Sequence, residues 1–145
     1  MASLKTPPKA DKLTRAALRY FGGKWQIAPW VISHLPAHRV YVEPFGGAAS
    51  VLMRKPRSTI EVYNDLDEEI VGIFQQLQDP AQCSQLMRLL RRTPYARGAF
   101  EQAFEPTCDP LARAQRAIVR AYMSFHHGAL FDPKKRTFAD ARHRG

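Results

Sequence analysis

The sequence of 145 residues is poor in cysteine and has no long apolar stretch. Cys83 and Cys108 are its only cysteines and form no CxxC pair. A disulfide between them is not indicated, and two thiols in a reducing compartment are expected. No apolar run approaches the roughly 20 residues that cross a bilayer, and the N-terminus lacks the apolar centre of a signal peptide. We therefore predict a folded protein in the cytoplasm.

Histidine pairs occur without the neighbours that a metal site needs. His34 and His38 are spaced i, i+4, but Pro36 breaks the helix between them. His126 and His127 have no carboxylate or cysteine at ligand spacing. We predict no metal site.

Positive charge is in excess, with a formal net charge of +9, and the excess is uneven. Residues 1–80 carry 10 Lys/Arg against 8 Asp/Glu, whereas residues 81–145 carry 12 against 5. A basic surplus favours polyanionic partners through counterion release, although a solvated surface produces the same composition. Nucleic acid is thus one candidate partner that charge alone does not establish.

Two short apolar runs flank a glycine turn in the first half of the chain. Residues 39–43 predict a buried parallel strand, which ends at Gly46 and Gly47. Residues 48–53 suit a helix stopped by Pro56, and residues 59–63 predict a second strand. This order predicts one βαβ unit, preceded by an amphipathic helix over residues 26–35.

The chain after residue 65 is predicted to be helical, because apolar residues recur at helical spacing. Helix starts are expected at three capping pairs, Asp79-Pro80, Thr93-Pro94 and Asp109-Pro110. The helix that begins at Leu111 has one apolar face, and the opposite face, suited to water or phosphate, carries Arg113, Arg116 and Arg120.

The glycine turn is suited to a ligand with positive charge. A strand, a glycine turn and a helix together direct backbone N–H groups beyond the strand's carboxyl end. No GxGxxG fingerprint is present, and Glu43 would repel a pyrophosphate. Asp65 follows the first glycine by about 20 residues, a spacing at which an acid can bind ribose hydroxyls. S-adenosylmethionine, with its sulfonium, ammonium and ribose groups, fits this pattern, although such a turn also occurs for packing alone.

Three segments resemble one family. RYFGGKW, VEPFGGAAS and VYNDLDEEIV resemble, in order and spacing, the motifs of Dam-type DNA adenine-N6 methyltransferases whose cofactor motifs come first. The resemblance covers most of residues 15–138 and departs from the family at Ala48 and Ala49, where a further glycine is frequent. It implies an α/β fold: a partial Rossmann-like, S-adenosylmethionine-dependent methyltransferase fold followed by a helical recognition segment. The implied division is a flexible arm at 1–14, part of the cofactor-binding domain at 15–67 and an incomplete DNA-recognition segment at 68–145.

The resemblance also implies roles for individual residues. The implied contacts to S-adenosylmethionine are Tyr20, Gly22, Gly23, Lys24, Glu43, Pro44, Phe45, Gly46, Gly47 and Asp65. The implied contacts to double-stranded DNA are Lys24, Arg113, Arg116, Arg120, Lys134, Lys135 and Arg136. The activity implied is methyl transfer to adenine N6.

The family's catalytic tetrad, Asp/Asn-Pro-Pro-Tyr/Phe, is absent from these residues. The only Pro-Pro pair is Pro7-Pro8, which lacks both flanking residues. We therefore expect an N-terminal fragment that is inactive alone, with a C-terminal half or a second chain supplying the tetrad. The alternative is a non-enzymatic basic module that binds nucleic acid and uses the βαβ unit only as a scaffold.

Overall fold

The computed structural model describes residues 13–125 and 137–139. Most of the arm predicted at residues 1–14, and the basic residues Lys134, Lys135 and Arg136, lie outside these ranges. The elements described are α1 (Ala28–Ser33), β1 (Val40–Glu43), α2 (Ser50–Arg54), β2 (Ile60–Tyr63), α3 (Glu68–Gln78), α4 (Pro80–Arg92), α5 (Arg97–Gln102) and α6 (Pro110–Met123). Within the described ranges, every helix is too short or too polar to span a membrane.

The predicted βαβ unit is confirmed. Strands β1 and β2 pair in parallel, with Val40 opposite Ile60 and Glu43 opposite Tyr63, and α2 lies between them in the chain. Each strand begins one residue later than predicted, and α2 begins two residues later. This mixture of helices with a small parallel sheet is compatible with part of a methyltransferase fold.

The prediction that the first strand is buried is wrong for its valines. The register places four β-branched side chains on one face of the sheet, and they are between 43 and 53% exposed: Val40, Val42, Ile60 and Val62. Continuous apolar strands are typical of sheets covered on both faces. The described elements leave this face largely uncovered.

Helix α1 is shorter than predicted, and its large apolar residues are not buried. Trp30 is 66% exposed, and its ring lies 4.5 Å from the ring of His34 on the same helix. The residue that α1 buries is Ala28. The spacing of apolar residues therefore identified a helix here, but not a face that packs on the core.

Two of the three predicted capping pairs are confirmed. The carboxylate of Asp79 accepts hydrogen bonds from the N–H groups of Ala81 and Gln82 at the start of α4, and Asp109 does the same for Leu111 and Ala112 in α6. A proline follows each of the two acids at the first helical position, where its missing N–H costs no hydrogen bond.

The prediction at Thr93 is wrong. Its hydroxyl donates to the carbonyl of Leu89, one turn earlier, so Thr93 ends α4 instead of starting the next helix. Helix α5 begins three residues after Pro94 and has no side-chain cap. The hydroxyl also accepts a hydrogen bond from Gln115, which ties the end of α4 to α6.

The main core is formed where α6 packs against α3. Ile70 and Ile73 of α3 are buried among the small side chains Ala114, Ala117 and Ala121 of α6. Alanines at this spacing allow the two helix backbones to approach closely, so the larger isoleucines fill the interface. Leu18 and Leu86 belong to the same core, and a second cluster lies around Phe100, Ala103, Val119 and Met123.

A buried ion pair crosses this interface. The guanidinium of Arg120 donates to the carboxylate of Glu69 in α3 and to the carbonyl of Ala103 after α5, and the residue is 7% exposed. The predicted basic face of α6 is therefore wrong at Arg120. Helical spacing groups the three arginines, but the packing of α6 against α3 and the end of α5 covers this one.

The other two arginines of that group lie nearer the surface. The Arg113 side chain is 46% exposed and lies 3.9 Å from the carboxylate of Glu68. Arg116 donates to the carbonyls of Glu105 and Pro106, so it holds the loop before α6.

Replacing Arg120 by alanine is expected to destabilise the protein strongly. The change leaves the Ala103 carbonyl and the partly buried Glu69 carboxylate without their donor. We expect the free energy of unfolding in urea to fall by roughly 2 to 3 kcal/mol, below the roughly 3 to 5 kcal/mol of fully buried pairs because Glu69 is about one-third exposed.

Arg113→Ala is the matched control, because it makes the same change on the same helix at an exposed pair. It should cost no more than about 0.5 kcal/mol. Equal losses in the two variants would show that the ion pair with Glu69 contributes nothing particular.

Candidate functional site

A cavity of about 300 Å³ lies where the carboxyl ends of both strands meet the turn at residues 20–24. Its lining includes nine of the ten residues predicted to contact the cofactor: Tyr20, Gly22, Gly23, Lys24, Glu43, Phe45, Gly46, Gly47 and Asp65. Pro44, the tenth, is exposed and outside the lining. The structure thus brings together residues that are up to 45 positions apart, and their role in cofactor binding stays a prediction.

The loop after β1 depends on glycine at two positions. A Cβ on Gly46 would lie 2.0 Å from Cε2 of Tyr63, and a Cβ on Gly47 would lie 2.8 Å from Cε1 of Tyr20. Gly47 also has φ of +49°, a conformation that L-residues with side chains adopt at a cost. At both positions, therefore, the neighbouring tyrosine ring leaves no room for a side chain.

Ala49 occupies a backbone conformation that favours glycine. Its φ is +50°, in the left-handed region, and it immediately precedes α2. For an L-residue this conformation costs roughly 1 to 2 kcal/mol. Ala49, where the sequence departs from the family that it resembles, is thus a strained residue. It belongs to the loop between β1 and α2, residues 44–49, which we call the cavity loop.

Asp65 connects the two sides of the cavity. Its Oδ2 accepts a hydrogen bond of 2.7 Å from the Gly47 N–H, and its Oδ1 accepts one of 3.0 Å from the Asp67 N–H. Asp67, and not Asp65, is the N-cap of α3. A carboxylate has about four lone-pair sites, so Asp65 keeps accepting capacity for a ligand.

Glu43 is a buried acid at the end of β1. Its Oε2 accepts a hydrogen bond of 3.2 Å from the Leu52 N–H in the first turn of α2, and the residue is 7% exposed. Burial raises the pKa of Glu43 above its ordinary value, while the Leu52 hydrogen bond and the charges of Lys24 and Lys55 lower it less. A cation in the cavity would stabilise the ionised form.

The turn at residues 20–24 forms the opposite wall. The Gly23 N–H donates to the Tyr20 carbonyl at 3.0 Å, and Gly22 adopts φ of +73°, which a glycine tolerates without strain. Lys24 Nζ lies 3.4 Å from the Phe45 carbonyl, across the cavity. Burial, followed by the charges of Asp65 and Asp67, raises the pKa of Tyr20 to about 12, so its hydroxyl stays protonated at neutral pH.

Sequence reasoning missed several residues at this site. Tyr63 donates its hydroxyl hydrogen to the Gly47 carbonyl at 2.7 Å. Leu66, in the segment after residue 65 that was predicted to be helical, precedes α3, is 89% exposed and lines the cavity. Ser50 also lines it, and its buried Oγ has no hydrogen-bond partner among residues 13–125 and 137–139. Tyr63 could have been identified from the sequence, because it ends the second predicted strand and the carboxyl ends of parallel strands meet at one edge.

His34 and His38 serve local structure. Nδ1 of His34 lies 2.8 Å from the Trp30 carbonyl, and Nδ1 of His38 lies 2.7 Å from the Pro36 carbonyl. No group of three or more His, Cys, Asp or Glu side chains in the described residues could hold a metal ion. His126 and His127 lie outside the described residues.

Replacing Gly46 by alanine is expected to disturb the loop. The new methyl group would overlap the Tyr63 ring, which Phe74 and the bond to Gly47 hold in place. We expect the variant to lose about 1 to 3 kcal/mol of unfolding free energy, measured by urea denaturation.

Gly72→Ala, in the middle of α3, is the control for the glycine substitution. A Cβ there meets nothing within 4 Å, so the variant should be as stable as the parent or up to about 1 kcal/mol more stable. If Gly46→Ala is equally well tolerated, Tyr63 does not confine the loop.

The raised pKa of Glu43 predicts a pH-dependent effect of Glu43→Gln. Because the native state binds this proton more tightly than the unfolded chain, the carboxyl contributes stability below its unfolded pKa and loses it as pH rises through its native pKa. Glutamine keeps an acceptor for the Leu52 N–H without the charge. The variant should therefore gain stability relative to the parent as pH rises from acid to neutral, measured by urea denaturation at each pH.

Glu61→Gln is a control of opposite sign. Burial opposes ionisation of Glu61, but hydrogen bonds from Lys55 and the Ser58 N–H, together with the charges of Lys55 and Arg57, outweigh it and lower the pKa. That variant should lose stability relative to the parent over the same rise in pH. Parallel profiles for the two variants would contradict the assignment of Glu43.

Comparison with known proteins identifies the family of the chain. A search of curated proteins found no match to the chain. The family model for the D12 class N6 adenine-specific DNA methyltransferase matches residues 20–131, which is well over half of the chain. The match begins at Tyr20 of the cavity wall, includes the glycine loop and Asp65, and extends beyond α6. The family predicted from the three sequence motifs is thus confirmed, and the chain belongs to the D12 class of N6 adenine-specific DNA methyltransferases.

Proposed function

We propose that the cavity at the strand ends binds S-adenosylmethionine as the methyl donor for adenine N6 in DNA. The observation that carries the proposal is the convergence of two acids, Glu43 and Asp65, with a glycine loop around one cavity. The family supports the reaction class, since its members are adenine-specific DNA methyltransferases.

The chemistry of the lining fits this donor. S-adenosylmethionine supplies a methyl group on a positively charged sulfur and also carries an ammonium group. The carboxylates of Glu43 and Asp65 attract positive charge, whereas they would repel a pyrophosphate. A cavity of about 300 Å³ is at the lower end of the range for small-molecule sites.

Individual residues have distinct parts in this proposal. Asp65 accepts hydrogen bonds from the ribose hydroxyls with the lone pairs that Gly47 and Asp67 leave free. Glu43 holds negative charge near the cationic end of the donor. Tyr20 and Phe45 supply aromatic surface to the adenosine, and Phe45 is available for it because it is 73% exposed.

DNA is the proposed second substrate. To be methylated at N6, an adenine has to leave the base stack and enter a pocket. Among the basic residues predicted to contact DNA, Lys24 and Arg113 are exposed in the structure, and we keep them as proposed phosphate contacts. Arg116 is engaged with two carbonyls and Arg120 is buried, so we assign neither of them to DNA. Lys134, Lys135 and Arg136 stay predictions from the sequence.

We also propose that these 145 residues bind the methyl donor without transferring its methyl group. An Asp/Asn-Pro-Pro-Tyr/Phe tetrad, with which the family holds the target amine, does not occur in them. Additional polypeptide, in the same or a second chain, would supply it. The uncovered sheet face around Val42 and Val62 supports this, because further structure packed there would bury it. The cytoplasmic location predicted from the sequence stays a prediction.

The function is tested by calorimetry of the chain with S-adenosylmethionine, followed by incubation with labelled donor and adenine-containing duplex DNA. We expect heat of binding, a raised melting temperature and no transfer of label. Absence of binding would overturn the donor assignment, and robust incorporation of label would overturn the proposed inactivity. DNA binding with a steep salt dependence and no response to the donor would favour the non-enzymatic module.

Asp65→Asn is expected to weaken donor binding about tenfold, the scale of one hydrogen bond to a charged group. The amide removes the negative charge and keeps one acceptor oxygen, so Gly47 and Asp67 compete for it. Calorimetric titration of the variant measures the loss.

Asp79→Asn is the matched control. Asp79 caps α4 away from the cavity lining, and asparagine caps a helix as well as aspartate does. Its donor affinity should equal that of the parent. Equal affinity in the Asp65 variant would remove Asp65 from the proposed site.

A further inference from the structure

Tyr63 holds the cavity loop from a position next to the proposed site. Its ring lies against the Cα of Gly46, and its hydroxyl donates to the Gly47 carbonyl at 2.7 Å. The centroids of the Tyr63 and Phe74 rings are 4.9 Å apart. Tyr63 is outside the cavity lining, so it acts on a ligand only through the loop.

The hydroxyl of Tyr63 fixes the orientation of one peptide group. The Gly47 carbonyl belongs to the same planar unit as the Ala48 N–H, and no peptide in the described ranges is cis. In a trans peptide the N–H points opposite to the carbonyl. Anchoring the carbonyl of Gly47 at Tyr63 therefore sets the direction of the Ala48 N–H.

The Ala48 N–H has no acceptor among the described residues. Ala48 lines the cavity and is 3% exposed. A buried donor without an acceptor costs roughly 1 to 3 kcal/mol, so an acceptor that enters the cavity gains by meeting it. The neighbouring N–H, of Gly47, is already bound to Asp65.

We propose that Tyr63 is a positioning residue, which holds the Gly47 carbonyl so that the Ala48 N–H donates to the carboxylate of the bound methyl donor. This inference rests on the proposed function, and it assigns the amino-acid end of the donor to the loop after β1. The acidic side chains take the positive groups, and the loop backbone takes the negative one.

The test is calorimetric titration of Tyr63→Phe with two ligands. Phenylalanine keeps the ring that packs against Gly46 and Phe74 and removes only the hydroxyl. S-adenosylmethionine carries the carboxylate, whereas 5′-methylthioadenosine lacks the whole amino-acid end. We expect the affinity for the first to fall roughly five- to tenfold, the scale of one hydrogen bond, and the affinity for the second to change less than twofold.

Tyr95→Phe provides the control. It removes a hydroxyl that donates to the Ala139 carbonyl at 2.9 Å, at a residue outside the cavity lining. Both affinities should stay at the parent's values in this variant.

Each other outcome overturns the inference. If Tyr63→Phe weakens both ligands equally, the hydroxyl only supports the fold, and if it weakens neither, the peptide orientation is irrelevant to binding. If the parent binds S-adenosylmethionine and the variant behaves like it, only this inference fails. If the parent itself does not bind, the proposed function fails first and this inference fails with it.

Discussion

The site depends on two hydrogen bonds to one residue, Gly47. Asp65 accepts from its N–H and Tyr63 donates to its carbonyl, each at 2.7 Å. These bonds are possible because β1 and β2 are parallel and in register, with Glu43 opposite Tyr63, so their carboxyl ends meet at one edge. A loop with two glycines has many conformations to lose on folding, and these bonds select one of them.

The short acidic run after β2 links this loop to the helical part of the molecule. Asp65 binds the loop, Asp67 caps α3, and Glu69 forms the ion pair with Arg120 of α6. Residues 65–69 thus connect the cavity loop directly to the core interface between α3 and α6. Acids at the start of a helix generally stabilise it through the helix dipole. Here each of these three acids also has a partner of its own.

The sequence predicted features that depend on local chemistry. Proline after aspartate identified the starts of α4 and α6, and glycines between apolar runs identified the βαβ unit. The sequence-based prediction failed where the environment of a side chain depends on a neighbouring element. Helical spacing groups Arg120 with Arg113, but only the packing of α6 against α3 shows that Arg120 is the buried one. The same reasoning applies to Thr93, whose hydroxyl turns back to the Leu89 carbonyl of the preceding helix.

In the proposed function, donor binding and methyl transfer are separable because they require different parts of a methyltransferase. The donor needs the loop, Glu43 and Asp65. The Gly47 N–H of the loop holds the Asp65 carboxylate, and the Leu52 N–H of α2 holds the Glu43 carboxylate. Transfer needs groups that hold the adenine amine, and the motif for that purpose is absent from the 145 residues. Tyr63 and Asp65 of this chain hold the loop in place. The geometry of the proposed donor site therefore does not depend on the additional polypeptide that would supply the tetrad.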